Sequence, residues 1–325
     1  MITDFFDIIT SLSASTVRLS IPLILAAMAG MMSERSGIVN VGLEGKMLLS
    51  AFAAAATASI TNDAWLGLLA GIAVAVLLSL LHGLACITYN GNQVVSGMAI
   101  NILAAGLAPT LANAWFKQGG QTPILSGESR HGPINLPGTE TIGDIPVISN
   151  IYKYLISGHS VLVYITLAIP FLMAWILYST RFGLRLRAAG ENPHALDTAG
   201  VSVSAVRYRG QIACGILCGI AGAYLATAQN AAFSQNMTAG RGYLALAALI
   251  FGRWRPKPTL LACFLFAFTD AIQIRLQGTY IPGIGIIPVQ MIQALPYLLT
   301  VLLLAGFIGK SEAPKALGIP FVKDR

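Results

Sequence analysis

The groups that ionise, ligate or attack are few in this chain, and they rarely stand in productive company. His82, His131, His159 and His194 are scattered, and none sits with a serine and a carboxylate as a nucleophilic triad needs. Cys86, Cys214, Cys218 and Cys263 all lie in apolar runs. Cys214 and Cys218 share a helix face, but no further His or Cys completes a metal set. They read as buried small hydrophobes. A nucleotide loop would run G-x-x-x-x-G-K-[ST] after a strand. Its nearest approach is Gly306-Phe307-Ile308-Gly309-Lys310-Ser311, where Leu304 replaces the first glycine and the run closes an apolar helix. The expectation is a protein with no catalytic centre, no metal and no cofactor of its own.

What remains are polar groups inside apolar surroundings, suited to binding and passing a polar solute. One run is Ser36-Gly-Ile-Val-Asn40-Val-Gly42-Leu-Glu44-Gly45-Lys46. Its glycines loosen a helix, and Glu44 stands where an isolated carboxylate is costly. Lys46, two residues on, is expected to neutralise it. A second run is Asn236-Met-Thr-Ala-Gly240-Arg241-Gly242-Tyr243, with the same order of Asn, small residues, Gly, a basic residue and an apolar helix. Asp270 and Gln273 share one face of a later apolar stretch, which should turn inward. Asn101, Gln290 and Gln293 are similar, and Phe264 or Phe268 could stack a flat ring. The candidate pathway set is Asn40, Glu44, Asn101, Asn236, Asp270 and Gln273.

The elements that must position these residues follow from composition. The chain has 325 residues, 55% hydrophobic and only 10% charged, with a mean hydropathy of +0.72. Soluble domains carry about 25% charged residues. The reading is therefore an all-α polytopic membrane protein, one transmembrane domain over residues 1–325. At about 20 residues per span, the apolar content suits about nine helices, with eight to ten as the range. The runs are 17–33, 41–60, 65–89, 94–116, 159–180, 208–229, 240–254, 259–276 and 290–309. No ten-residue alternation suggests a membrane barrel. Asp4 and Asp7, without early basic residues, do not suit a secretory signal.

The net charge of +7 is read as orientation rather than as a nucleic-acid surface. Arg35, Arg181, Arg185, Arg187, Arg253, Arg255, Lys257 and Lys315 fall on one side, which favours a cytoplasmic C-terminus and an external N-terminus. The seventh run is short, but a full crossing there keeps Arg253–Lys257 with the other cations. Residues 117–158, rich in Gly and Pro, form an extracytoplasmic loop, either a connector or a docking surface. Five runs separate Lys46 from Arg241, so the two motifs are expected on opposite sides, as in an inverted repeat with broken helices. Residues 181–206 form a cytoplasmic loop. In it Asn192 is a good N-cap, Pro193 suits the first turn and Gly200 the stop. The two-turn helix between them is too short to stand alone and must pack on something. It lies on its own loops, or it is a peg that carries a partner's movement.

These residues together resemble a known family. Met32 to Lys46, Gln93-Val-Val-Ser96-Gly97, Asn101, Asn236 to Tyr243, Ala247 to Trp254, and Gln290 to Tyr297 are similar to the permeases of bacterial ABC transporters of the branched-chain amino acid and simple-sugar class. Within it they are nearest the purine-nucleoside uptake permeases. Gly190-Glu-Asn192-Pro193 resembles the family's coupling loop. The resemblance implies a second permease subunit, separate ATPase subunits that bind ATP-Mg, an extracytoplasmic substrate-binding protein and a place in the bacterial inner membrane. It assigns Gly190, Asn192, Pro193, Ala195 and Gly200 to coupling. The alternatives are simple sugars or branched-chain amino acids as substrates, or an ion-coupled secondary transporter in which Asp270 or Glu44 carries a proton.

Overall fold

Helix α1 runs from Ile2 to Glu34 with Pro22 inside it, and its second half, from Ile21 to Met32, is buried throughout. The computed structural model describes residues 2–134, 152, 157–277, 280–281, 285–286, 289–295, 298, 301 and 313–323. After α1 come α2 (Leu43–Thr61), α3 (Ala64–Gly83, continued as a π turn to Thr88) and α4 (Gln93–Phe116). Next are α5 (Val161–Ser179), α6 (Arg181–Glu191), α7 (Pro193–Thr198) and α8 (Val203–Tyr224, continued as a π turn to Gln229). Then follow α9 (Arg241–Phe251), α10 (Pro256–Leu276) and α11 (Val289–Gln293), with a two-residue antiparallel pair, Tyr280–Ile281 with Gly285–Ile286, before α11.

Helix boundaries follow local chemistry. The Asp63 carboxylate accepts the N–H of Trp65 at 2.7 Å and starts α3. The Asn92 side chain accepts from Val94 and Val95 and starts α4. The Thr180 hydroxyl accepts from Gly183 and starts α6.

Six helices among the described residues are long and apolar enough to cross a membrane: Ile9–Glu34, Ala64–Thr88, Gln93–Phe116, Val161–Ser179, Val203–Gln229 and Pro256–Leu276. The sequence suggested about nine. Of the other three runs, α2 is a full 19-residue helix diluted by Glu44 and Lys46. The ninth lies mostly outside the described residues, as does much of 117–158. The seventh needs correction as a helical crossing. Helix α9 has 11 residues, about 16 Å of rise, roughly half of a hydrocarbon core.

The bundle has two ends. The loop end carries the Thr61–Ala64 turn, residues 117–134 and residues 225–235. These are laced together by Thr122 N–H to Phe233 O, Leu125 N–H to Ala231 O and His131 N–H to Thr227 O. The basic end carries residues 34–37, 178–207, 252–257 and 313–323. There the Trp254 indole N–H donates to Glu34 at 2.6 Å, and Arg35 donates to the Trp254 carbonyl.

Packing is organised around α1 and α8, which lie against each other. Helix α1 also packs on α9 and α10, and α8 packs on α2 and α3. The close approaches need small residues. A Cβ on Gly222 of α8 would meet the Ala51 N of α2 at 2.8 Å, and one on Gly215 the Val76 Cα of α3 at 2.6 Å.

Candidate substrate pathway and coupling face

Two interrupted segments enter the bundle from its two ends. Residues 35–42 leave α1 at the basic end and climb to the start of α2. Residues 230–240 leave α8 at the loop end and descend to the start of α9. Asn236, Ala239 and Gly240 all have left-handed φ, at 54°, 47° and 79°. Such backbone cannot continue a helix, and a glycine at the last position adopts it without a Cβ penalty.

Irregular backbone inside an apolar bundle must have its polar groups met. Side chains of α3 and α4 meet those of the first segment. The Gln93 Oε1 accepts the Val39 N–H at 2.7 Å. His82 Nε2 bonds the Val39 carbonyl at 3.0 Å, while its Nδ1 pairs with the Ser96 hydroxyl at 2.9 Å. Asn101 donates to the Val41 carbonyl at 3.0 Å and accepts the Gly45 N–H at 2.8 Å. Gln93, Gly97 and Asn101 recur every four residues, so one stripe of α4 faces Val39 to Gly45. The fit is tight: a Cβ on Gly45 would meet the Asn101 Cα at 2.7 Å, and one on Gly97 the Gly42 N at 2.9 Å.

Neither α2 nor α9 has a capping side chain of its own. Asn101 serves α2. Glu44, in the first turn of α2, serves α9: its Oε1 accepts from Gly240 N–H at 2.8 Å and its Oε2 from Gly242 N–H at 2.6 Å. A carboxylate at a helix N-terminus satisfies otherwise unpaired donors and complements the helix dipole. The two motifs therefore meet, and α2 and α9 lead away from that meeting toward opposite ends. The expectation that they lie on opposite sides is corrected to this extent.

The expected Lys46–Glu44 pairing is also corrected. Lys46 is wholly buried and donates to the Asn40 Oδ1 at 3.0 Å. Asn40 is equally buried and donates in turn to the Cys214 sulfur at 3.1 Å. Arg241, the first residue of α9, supplies the positive charge that both Glu44 and Asp270 attract. Asp270 and Gln273 are half-buried on α10. Asn236 is exposed and contributes its carbonyl to the Ala239 N–H. Gln290 is exposed, Phe264 half-buried and Phe268 exposed; the Gln293 side chain lies outside the described residues.

Of the six candidate residues, the structure thus brings Glu44 and Asn101 together at the starts of α2 and α9, while Asp270 lies on the neighbouring α10. It buries Asn40 behind them. Sequence reasoning missed Tyr243. Its ring is half exposed and its hydroxyl accepts from Asn101 at 2.8 Å. The signal was its place two residues after Arg241. It also passed over His82, whose partners lie on other elements.

The basic end presents a second feature. Residues 181–206 are α6, α7, a turn and the first residues of α8 rather than a loop. Asn192 accepts the Ala195 N–H at 3.1 Å, Pro193 opens α7 and Gly200 follows it with φ 76°. Pro193 and Leu196 are buried, while His194, Ala195, Thr198 and Ala199 are exposed. The helix packs on α6 and α8, and His194 meets the Phe321 ring at 5.3 Å. Gly190 is no surface residue: a Cβ there would run into the Arg35 carbonyl. Its own carbonyl accepts the Ala316 N–H at 2.8 Å.

The structure is thus a bundle of apolar helices, six of them membrane-length among the described residues, with two interrupted segments meeting inside it. The chain belongs to the branched-chain amino acid transport system permease component family, whose model matches residues 12–304. It is 37% identical, over 99% of both chains, to the guanosine ABC transporter permease protein NupQ of Bacillus subtilis (strain 168). It is 37% identical to the nucleoside ABC transporter permease protein NupC of Lactococcus lactis subsp. cremoris (strain MG1363), over 94% of this chain and 95% of that one. The putative glucose ABC transporter permease protein TsgC13 of Haloferax volcanii is 31% identical over 94% of each. No solved structure matches the chain.

Proposed function

We propose that this chain is the permease subunit of an ATP-driven importer of nucleosides. The full-length likeness to two permeases named for guanosine and nucleosides carries the reading. The geometry agrees with it. A nucleoside is flat, neutral and rich in hydrogen-bonding groups, and Asn101, Tyr243, Asp270 and Gln273 offer partners and an exposed ring. Glu44 holds the start of α9, which carries Tyr243. Asn236 lines the approach, and Asn40 positions Lys46 behind it.

In this reading α1–α3 and α8–α10 are inverted repeats, supported by the matching partners of α1 and α8 and by the two interrupted segments. The chain has no catalytic role. ATP-Mg binds to separate ATPase subunits, which dock on the exposed face of α7 around Ala195, with Asn192, Pro193 and Gly200 fixing that helix. Gly190 anchors α6 on α1. A second, homologous permease completes the pathway, and an extracytoplasmic binding protein delivers the substrate. The chain sits in the bacterial inner membrane, its basic end and C-terminus cytoplasmic and its N-terminus external.

The test is labelled-guanosine uptake in cells that express the permease with its partners, with and without ATPase-inactivating mutations. Uptake that needs the ATPase and is blocked by other nucleosides, but not by ribose, glucose or leucine, supports the proposal. The glucose-named relative favours a sugar as the second reading. ATPase-dependent sugar uptake without guanosine uptake would replace the substrate and keep the class. Uptake that survives ATPase loss and collapses with the proton gradient would overturn the class.

A further inference from the structure

The basic end holds a cavity of about 760 Å³ between the ends of α1, α5 and α6 and the start of α10. Arg35, Arg187, Arg255 and Lys257 line it beside Tyr178, and no carboxylate is among the lining residues. The Arg187 guanidinium lies over the Tyr178 ring, 5.1 Å from its centroid. Its Nε is buried and, among the described residues, has no hydrogen-bond partner. A buried donor on a charged group is costly to leave unmet, so an oxygen acceptor belongs opposite it. Arg35 has Glu191 at 3.6 Å. Even so, burial, with Arg187 and Arg255 adding to it, holds its guanidinium below the ordinary pKa. The cluster carries more positive charge than its neighbours offset.

The walls that lead away from the cavity are apolar. On α5, Phe171 and Trp175 are exposed and lie on the same side as Ala174 and Tyr178. On α10, Leu261 and Leu265 are exposed and continue the face of Pro258. Both helices are long enough to cross a bilayer. A cationic floor that opens between two apolar walls matches a ligand with an anionic head and hydrocarbon tails. A small soluble anion would use the floor and leave the walls without a role. Basic pockets between membrane helices are suited to such headgroups.

We propose that this cavity binds an anionic phospholipid of the adjoining leaflet. Its phosphate rests on Arg187, Arg255 and Lys257, and its acyl chains lie along Phe171 and Leu261. The site lies apart from the pathway residues and does not depend on the transported solute.

The experiment is native mass spectrometry of the purified full-chain complex, loaded with phosphatidylglycerol or phosphatidylcholine. Wild type should retain phosphatidylglycerol in preference. Arg187→Gln with Lys257→Gln should lower its retention roughly twenty-five-fold, about fivefold per cation removed, and leave phosphatidylcholine unchanged. Lys257→Gln alone, at an exposed position, should give the fivefold loss even if the double variant fails to fold. Equal retention of both lipids would overturn the proposal. Displacement by millimolar inorganic phosphate would mean a soluble-anion site and would overturn it too. So would displacement by adding purified ATPase subunits, which would mark the cavity as a protein contact.

Discussion

The Glu44 carboxylate accepts the Gly242 N–H at 2.6 Å across a sequence separation of 198 residues. With its bond to Gly240, it joins the start of one half-helix to the start of another. Removing it leaves two backbone donors of α9 unmet, at roughly 1–3 kcal/mol each. Glu44→Ala should therefore lower unfolding stability by about 3 kcal/mol and abolish uptake. Glu44→Gln keeps one acceptor and should fall between. Thermal unfolding of the purified protein beside an uptake assay reads both, and an unchanged midpoint in Glu44→Ala would remove the cap.

Glycine positions on α2 and α4 separate packing from propensity. A Cβ on Gly45 meets Asn101 Cα and Ile100 O, both at 2.7 Å, whereas one on Gly106 meets nothing within 4 Å. Gly45→Ala should cost about 1–3 kcal/mol by overpacking against backbone. Gly106→Ala, mid-helix in α4, should be neutral or stabilising by up to about 1 kcal/mol. Melting curves of the two variants test the contrast.

Arg241 and Asp270 attract each other across the α9–α10 interface. Arg241→Gln and Asp270→Asn should each reduce stability, and the double variant should lose less than their sum. A coupling of about 1–2 kcal/mol is expected in a double-mutant cycle. Strict additivity would mean that the two charges act separately.

The coupling face predicts a split between two nearby residues. Ala195→Glu, on the exposed side of α7, should abolish ATPase-dependent uptake with little change in melting. Gly190→Ala should instead destabilise the fold, because its methyl meets the Arg35 backbone. Uptake and melting measured on both variants would show whether activity is lost by two different routes.

His131 gives a pH dependence. Burial lowers its pKa below the ordinary value, which is about 6.5; its ring packs edge-on against Trp65 at 4.8 Å. The unfolded chain takes up the proton first, so stability should fall as pH drops through that value. His131→Gln should flatten the dependence between pH 7.5 and 5, read as melting temperature against pH.

The sequence by itself determined the class of protein. A charged content of 10% in a chain 55% hydrophobic leaves bilayer-spanning helices as the available fold, because water-free backbone must bond within its own segment. It also determined the interruptions. Glycine-bearing runs loosen the chain at 37–45 and 240–242, and Asn192, Pro193 and Gly200 delimit α7 through contacts a few residues away. Tertiary structure decided what those interruptions do. Lys46 turned to Asn40 and left Glu44 to α9. Gly190 is fixed by Arg35, and His82 and Gln93 serve Val39 across the bundle. These partners are far apart in the chain, and side-chain type and spacing carry no record of which distant donor will face a given acceptor. That choice is made only when the helices pack.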